Sequence, residues 1–296
     1  MASNENIFIT PPSEASLFFA DPALEAKTAG TCDLYMQLEK TSIQLALKER
    51  RSGNLIALEI IPASDNKQTS WKELLENTSA HSKLLRNYEF LKVTAGIMSQ
   101  EFTLVPESLF KSGDENIYYH KNFPSDSGSV VRAQFVPSFH LYTIFSLEKE
   151  LENELNHLFQ DPQLWHYSQA FLASVSLKMK TDAGKQLWLN IRNNKIDIVV
   201  SENRSLLLMN SFSWQTNEDV LYFTLFVCEQ LELNPDKFPM IVTGIIEVEF
   251  ALFQLLNKYI RNISIAEQPS NLSLAFESDD LPFHRYAMLF NLALCE

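Results

Sequence analysis

The side chains able to do chemistry are plentiful, but their spacing assembles none of the common reaction centres. The six histidines, His81, His120, His140, His157, His166 and His284, include no HExxH motif and no pair four residues apart, so no helical metal site is expected. His157 and His166 flank a turn and read as surface or capping groups. Cys32, Cys228 and Cys295 are odd in number and form no CxxC, which suggests neither a zinc site nor a disulfide framework and fits a reducing compartment. GxSxG, GxGxxG and GxxxxGK[ST] are all absent, which removes the hydrolase nucleophile elbow, the Rossmann fingerprint and the P-loop. Ser125-Asp126-Ser127-Gly128 has the composition of a phosphate nest but reads as a plain turn. Glu148, Glu150, Glu152 and Glu154 read as a solvated face rather than an acid/base pair. No catalytic residue and no metal ligand is expected.

Composition narrows the function further. The 296 residues carry 24 Lys and Arg against 37 Asp and Glu, a net charge of −13. Duplex binding needs a basic face to neutralise phosphates, and the longest basic cluster here, Lys48–Arg51, is interrupted by Glu49. Nucleic acid and anionic membrane surfaces are therefore not expected partners, whereas a protein is. The chain holds 7 Gly against 12 Pro, where average usage would predict roughly 20 glycines. That shortage opposes chemistry built on glycine-rich phosphate loops. The most apolar windows, Val220–Val227 and Met240–Leu256, are broken by or followed closely by glutamates and fall short of a membrane span. The N-terminus shows no basic region followed by an apolar core. A cytoplasmic protein is the expectation.

These residues must be positioned by a regular scaffold, and the chain predicts one. Residues 1–30 read as an extended arm with a short apolar anchor at Leu17–Phe19. Leu34–Leu38, Ile43–Leu47 and Leu55–Ile61 alternate as a three-stranded meander. Ser70 and Glu73 form a capping box opening a helix to about Leu85. Strands over Tyr88–Ala95 and Glu101–Val105 precede a long loop or small inserted hairpin near 112–130. Val136–Phe145 reads as a strand, Leu147–Phe159 as a helix, Gln163–Tyr167 as a short strand and Ser168–Met179 as a helix. The turn at Thr181–Lys185 is the expected domain boundary. A second meander follows over Gln186–Ile191, Ile196–Ser201 and Ser205–Phe212. Next come a helix from about Asn217, a buried strand at Phe238–Thr243, a helix over Glu247–Tyr259, a strand at Ile263–Ala266 and an apolar helix over Leu281–Leu294. Tyr222, Phe223 and Phe226 lie around one helix, as core filling or as a protein interface. The same order of elements thus occurs twice, about 150 residues apart, and predicts a duplicated α/β domain. The units expected are 31–183 and 184–296, each a mixed five-stranded sheet flanked by helices.

That duplicated order resembles the actin-like, ribonuclease H-type ATPase fold, and most of all the branch containing PilM and GspL together with an uncharacterised bacterial family of unknown function. Three stretches carry the resemblance. Leu187–Val200 (LWLNIRNNKIDIVV) is similar to the second phosphate hairpin. Ile241–Glu247 (IVTGIIE) is similar to the strand leading into the adenosine-contacting helix. Pro282–Leu294 (PFHRYAMLFNLAL) is similar to the terminal helix. The resemblance implies an Asp-x-Gly hairpin in each half, the Asp ordering metal and water and the Gly admitting phosphate oxygens. Here Asp33 is followed by Tyr35 at the glycine position, Asn190 and Arg192 replace Asp and Gly, and Gly244 alone stands for a paired glycine. Asp33, Asn190, Arg192 and Gly244 are the cofactor-binding residues if a nucleotide binds. Otherwise Asp33 reads as a strand-start carboxylate, Arg192 as an exposed hairpin arginine and Gly244 as a strand-to-helix turn. A ribonuclease H-type nuclease would need clustered carboxylates, and Asp33 and Asp197 lack clear companions. With all three nucleotide elements altered, the expectation is a pseudo-ATPase of actin-like fold that binds no ATP or magnesium and acts as a scaffold or protein-interaction module. The alternative is an ATPase or small-molecule kinase with divergent phosphate loops.

Overall fold

The computed structural model describes residues 16–24, 31–63, 70–99, 101–180, 184–276, 281–293 and 295. Residues 1–15 and 25–30 of the expected arm lie outside these, as do 181–183 of the expected boundary turn. The described chain forms two compact units, Ser16–Asp182 with Gln268–Glu296, and Ala183–Glu267.

In chain order the first unit contains β1 (Leu17–Ala20), β2 (Cys32–Glu39), β3 (Ser42–Glu49), β4 (Leu55–Pro62), α1 (Trp71–His81), α2 (Lys83–Asn87) and β5 (Lys92–Ile97). It continues through β6 (Phe102–Pro106), α3 (Glu115–His120), β7 (Ser129–Val136), β8 (Leu141–Glu148), α4 (Lys149–Leu158), β9 (Gln163–His166) and α5 (Ser168–Met179). The second unit contains β10 (Gln186–Ile191), β11 (Lys195–Glu202), β12 (Ser205–Ser213), α6 (Asn217–Gln230), β13 (Pro239–Gly244), α7 (Ala251–Tyr259) and β14 (Asn262–Ile265). The chain closes with α8 (Ala287–Leu292) in the first unit.

The duplication holds at the level of strand order and sense. The first sheet runs β1-β4-β3-β2-β5-β9 and the second β12-β11-β10-β13-β14. In each, an antiparallel meander joins two parallel strands through its first strand. The first sheet has six strands rather than the expected five, because the apolar anchor in the arm pairs antiparallel with β4 as an added edge, Leu17 opposite Ile60.

Local signals and long-range contacts share the helix boundaries. Ser70 Oγ accepts the Glu73 N–H and Glu73 returns a carboxylate oxygen to the Ser70 N–H. The helix then stops at His81 instead of about Leu85. The buried Glu59 carboxylate of β4 accepts the Ser82 hydroxyl at 2.7 Å, the Lys83 N–H at 2.8 Å and the Leu84 N–H at 3.0 Å. Those bonds satisfy the free donors at the start of a new helix, α2, and so favour a break at Ser82. The 112–130 region holds α3 and a turn that leads into β7. The expected strand over Val136–Phe145 is divided by a 3₁₀ turn, Pro137–Phe139, between β7 and β8. The result is a three-stranded antiparallel sheet, β6-β8-β7.

The unit division differs from the expected 184–296. Every residue of α8 is buried, and Leu289, Phe290 and Leu292 form one apolar cluster with Tyr35, Ala46, Leu58 and Ile60 of the first sheet. Gly96 of β5 admits this packing, since a Cβ there would lie 3.2 Å from Leu292 Cδ2. Lys48 Nζ adds a 2.9 Å bond to the Ala293 carbonyl. A short helix that is apolar all round but for Asn291 must be covered on all sides, and the open face of the first sheet contributes that cover.

Candidate functional site

The second hairpin is the better defined of the two candidate phosphate elements. β10 and β11 pair antiparallel with Asn190 opposite Asp197, and the turn closes with the Arg192 N–H donating to the Lys195 carbonyl at 2.9 Å. Arg192 then folds back over the ladder. Its Nε lies 2.9 Å from Asp197 Oδ2 and its Nη2 2.8 Å from Asp197 Oδ1, and Asn190 Nδ2 donates to the same Oδ2 at 3.0 Å. Two parallel charge-assisted bonds fix both partners. Asp197 is 0% exposed, Asn190 1% and Arg192 9%. Arg192 is therefore no exposed hairpin arginine. The carboxylate five residues on draws its guanidinium down onto the sheet, and the Arg192 carbonyl accepts the Trp214 indole N–H at 3.1 Å.

Gly244 meets this hairpin from β13, which runs parallel to β10 with Asn190 beside Thr243 and Ile191 beside Gly244. Its φ is +89°, and a Cβ would lie 2.0 Å from the Ile191 carbonyl oxygen and 2.9 Å from Asn190 Oδ1. The next N–H, of Ile245, donates to the same Ile191 oxygen at 2.8 Å. Close backbone approach at the strand exit thus accounts for the glycine without a ligand.

In the first unit the register moves the site. Asp33 lies at the start of β2 opposite Lys48, at the end of the strand away from the Lys40–Thr41 turn. The position matching Asn190 opposite Asp197 is Gln37 opposite Gln44, both buried. The residue two further on, matching Arg192, is Glu39. The expected hairpin position at Asp33 and Tyr35 is accordingly corrected to Gln37 and Glu39. Counting back from the turn finds it, whereas matching the Asp alone does not. Asp33 has its own partner, Arg50, whose Nε lies 2.9 and 2.8 Å from the two carboxylate oxygens. Tyr35 is buried in the cluster that receives α8.

Asn190, Arg192 and Gly244 are thus brought together, joined by Asp197, which the sequence offers only as a nuclease carboxylate without clear companions. Asp33 is not among them. The remaining candidates resolve as structural groups. Asp126 Oδ1 accepts the Gly128 N–H at 3.0 Å and Oδ2 the Ser129 hydroxyl at 2.7 Å, which holds its carboxyl below the usual range. This is a side-chain-closed turn. His166 is buried rather than on the surface. Its Nδ1 accepts the Ser168 N–H at 3.3 Å, and Nε2 lies 3.2 Å from the Ser99 carbonyl. Among the described residues no group of three His, Cys, Asp or Glu side chains could hold a metal ion, and no helix is long and apolar enough to cross a membrane.

Residues 21–263 match the family described as "Protein of unknown function (DUF3822)". The chain belongs to this family. Its fold is the actin-like ATPase fold. A Bacteroides thetaiotaomicron protein described as having that fold and unknown function is 22% identical, with a TM-score of 0.79 over 92% of this chain and 99% of that one. A chain of the PilM–PilN type IV pilus biogenesis complex is 12% identical, with a TM-score of 0.63 over 88% of this chain and 97% of that one. At these identities the likeness shows the fold alone. No curated protein matches the chain.

Proposed function

We propose that this DUF3822 protein is a non-catalytic member of the actin-like fold, a scaffold or protein-interaction module working in the cytoplasm. The observation that carries this reading is the closure of Arg192 on Asp197. The residue at the glycine position of the hairpin spends its charge on the sheet's own carboxylate, and Asn190 is bonded to that same carboxylate. The donor set does not fit a magnesium nucleotide. Phosphoryl transfer relies on positioned metal and on donors aimed at phosphate oxygens. Here the Asp197 carboxylate of the second hairpin is neutralised internally, and the first hairpin offers Gln37, Gln44 and Glu39 in place of Asp-x-Gly. Fold and activity are separable in general. A PilM chain of this fold occurs in a complex with PilN, which supports a protein partner as the class to seek. The acidic balance of −13 opposes nucleic acid and anionic membranes as partners.

The reading is tested by calorimetric titration and thermal unfolding with ATP, ADP and GTP, each with Mg²⁺. No heat and no change in midpoint are expected. A ligand at 100 times its dissociation constant would stabilise the fold by about 2.7 kcal/mol, and a shift of that size would replace this reading with a nucleotide-dependent ATPase or kinase.

A further inference from the structure

Helix α6 keeps two aromatic rings out of the core. Val220, Thr224, Val227 and Cys228 are its buried residues, and Phe223 stacks on Phe212 of β12 with ring centroids 4.7 Å apart. The apolar cluster of the second unit takes in Leu221 and Phe223 but neither Tyr222 nor Phe226. Those two residues are 62% and 42% exposed. They stack on one another at 6.2 Å with ring planes 20° apart, and Phe223 braces Tyr222 edge-on at 5.3 Å. Apolar residues scattered singly over a surface need no explanation. A stacked pair braced by a third ring is a preformed apolar contact, and protein interfaces place such aromatic residues at their centres.

Charge brackets the rings. Residues three and four apart share a helix face, so Glu218, Tyr222, Phe226 and Glu229 lie in one stripe, with an exposed acidic residue at each end. At the rise of an α-helix the stripe is about 16 Å long. Residues 205–236 hold Glu218, Asp219, Glu229, Glu232 and Asp236 and no Lys, Arg or His. Asp219 is occupied by the helix cap. Two lysines reach the neighbouring elements, and each is bonded there, Lys185 Nζ to the Leu231 carbonyl at 3.4 Å and Lys195 Nζ to the Ser213 hydroxyl at 2.6 Å.

We propose that the outward stripe of α6 is a docking surface for a basic segment of a partner protein, one that carries Arg or Lys beside apolar side chains. The faces of the two rings attract a guanidinium or ammonium group, and the carboxylates of Glu218 and Glu229 pair with further cations of the same segment. Charge also selects among occupants. A second copy would set like charges against like, and an acidic stripe repels phosphate-bearing surfaces. The inference rests on the reading of this chain as an interaction module and adds the chemistry of the partner.

Selection of random peptides displayed on phage against the full chain tests it, followed by fluorescence anisotropy on synthetic copies of the peptides selected. The selected pool is expected to be enriched in Arg and Lys, and binding to weaken with rising salt. Tyr222→Ala with Phe226→Ala is expected to weaken binding at least about tenfold. Glu218→Gln with Glu229→Gln is expected to weaken it and to flatten its salt dependence. Both variants alter exposed positions, so circular dichroism and the unfolding midpoint are expected to stay at wild-type values. A pool with no basic enrichment, a selection that yields no binder, or binding that both variants leave intact overturns the proposal. Self-association of the wild type that Tyr222→Ala with Phe226→Ala abolishes overturns it as well and reassigns the stripe to a second copy. The interaction-module reading itself falls to a different result, a nucleotide-induced shift of the unfolding midpoint.

Discussion

Arg192 and Asp197 are five residues apart in the chain and form a bidentate pair at 2.9 and 2.8 Å on the buried face of a hairpin. Taking two charges out of water is costly, and the pair persists because each charge answers the other and Asn190 takes a further lone pair. The geometry makes the hairpin self-sufficient.

Removing one partner of that pair therefore costs more than the pair contributes. Arg192→Gly is expected to destabilise the second unit by about 3–5 kcal/mol, because Asp197 is left charged and buried. Replacing both, Arg192→Met with Asp197→Leu, is expected to recover most of that loss. Urea unfolding followed by Trp188 and Trp214 fluorescence measures both. Equal losses in the single and double variants would refute the coupling.

Gly244 is expected to tolerate no side chain. Gly244→Ala faces a Cβ contact of 2.0 Å with backbone, at φ +89°. The backbone conformation alone costs about 1–3 kcal/mol, and the displaced β10–β13 junction adds to it. A midpoint of thermal unfolding equal to wild type would contradict this.

The closing segment is expected to be essential to the first unit. A chain ending at Glu267 lacks α8 and leaves Tyr35, Ala46, Leu58 and Ile60 without the residues that cover them. It should bind a hydrophobic dye strongly or precipitate. Gly96→Val perturbs the same contact more mildly by crowding Leu292, at about 1–3 kcal/mol for overpacking. A soluble, cooperatively unfolding chain ending at Glu267 would show that α8 is dispensable.

The acid limb of the stability profile has a named contributor. Asp219 accepts the Gln215 and Thr216 N–H groups, each at 2.9 Å, which hold its carboxyl below the ordinary value of 3.8. A lowered folded-state value gives stability that is complete above the unfolded value and lost as pH falls through the folded one. Asp219→Asn should therefore lower the unfolding midpoint by a constant amount near neutral pH, and the difference should close below about pH 3.8. A difference independent of pH down to full protonation would assign the effect to shape rather than charge.

The thiols are expected to be inert. Burial pushes Cys228 up to about 11 and Cys295 up to about 12, and raises Cys32. Only the thiolate reacts, so alkylation of Cys228 and Cys295 in the folded chain at pH 8 should run roughly 100-fold slower than that of a free cysteine, and that of Cys32 should be slowed as well. Fast modification at Cys228, mapped by mass spectrometry, would show that the second unit opens locally.

Much of this architecture is legible in the chain because its causes are local. Side-chain alternation marks both meanders. The Ser70–Glu73 box announces α1 four residues at a time, and the repeated order of elements discloses the duplication. These signals need only neighbours in sequence. The altered hairpin at Asn190 and Arg192 is read only against the Asp-x-Gly hairpin that the resemblance implies.

What the chain alone leaves undecided depends on which surfaces meet. Strand register moved the first hairpin from Asp33 to Gln37, because the count from the Lys40–Thr41 turn, and not the acidic residue, sets which residue faces which. Burial turned Arg192 from a surface arginine into half of an ion pair, because Asp197 can hold it only once β10 and β11 lie side by side. The Glu59 carboxylate ended α1 from 23 residues away, and α8 joined the first unit although it follows the second in sequence. Periodicity and caps are written residue by residue, so the sequence by itself determined the elements and their duplication. Register, burial and docking are properties of two surfaces in contact, so only the tertiary structure decided where the charges rest.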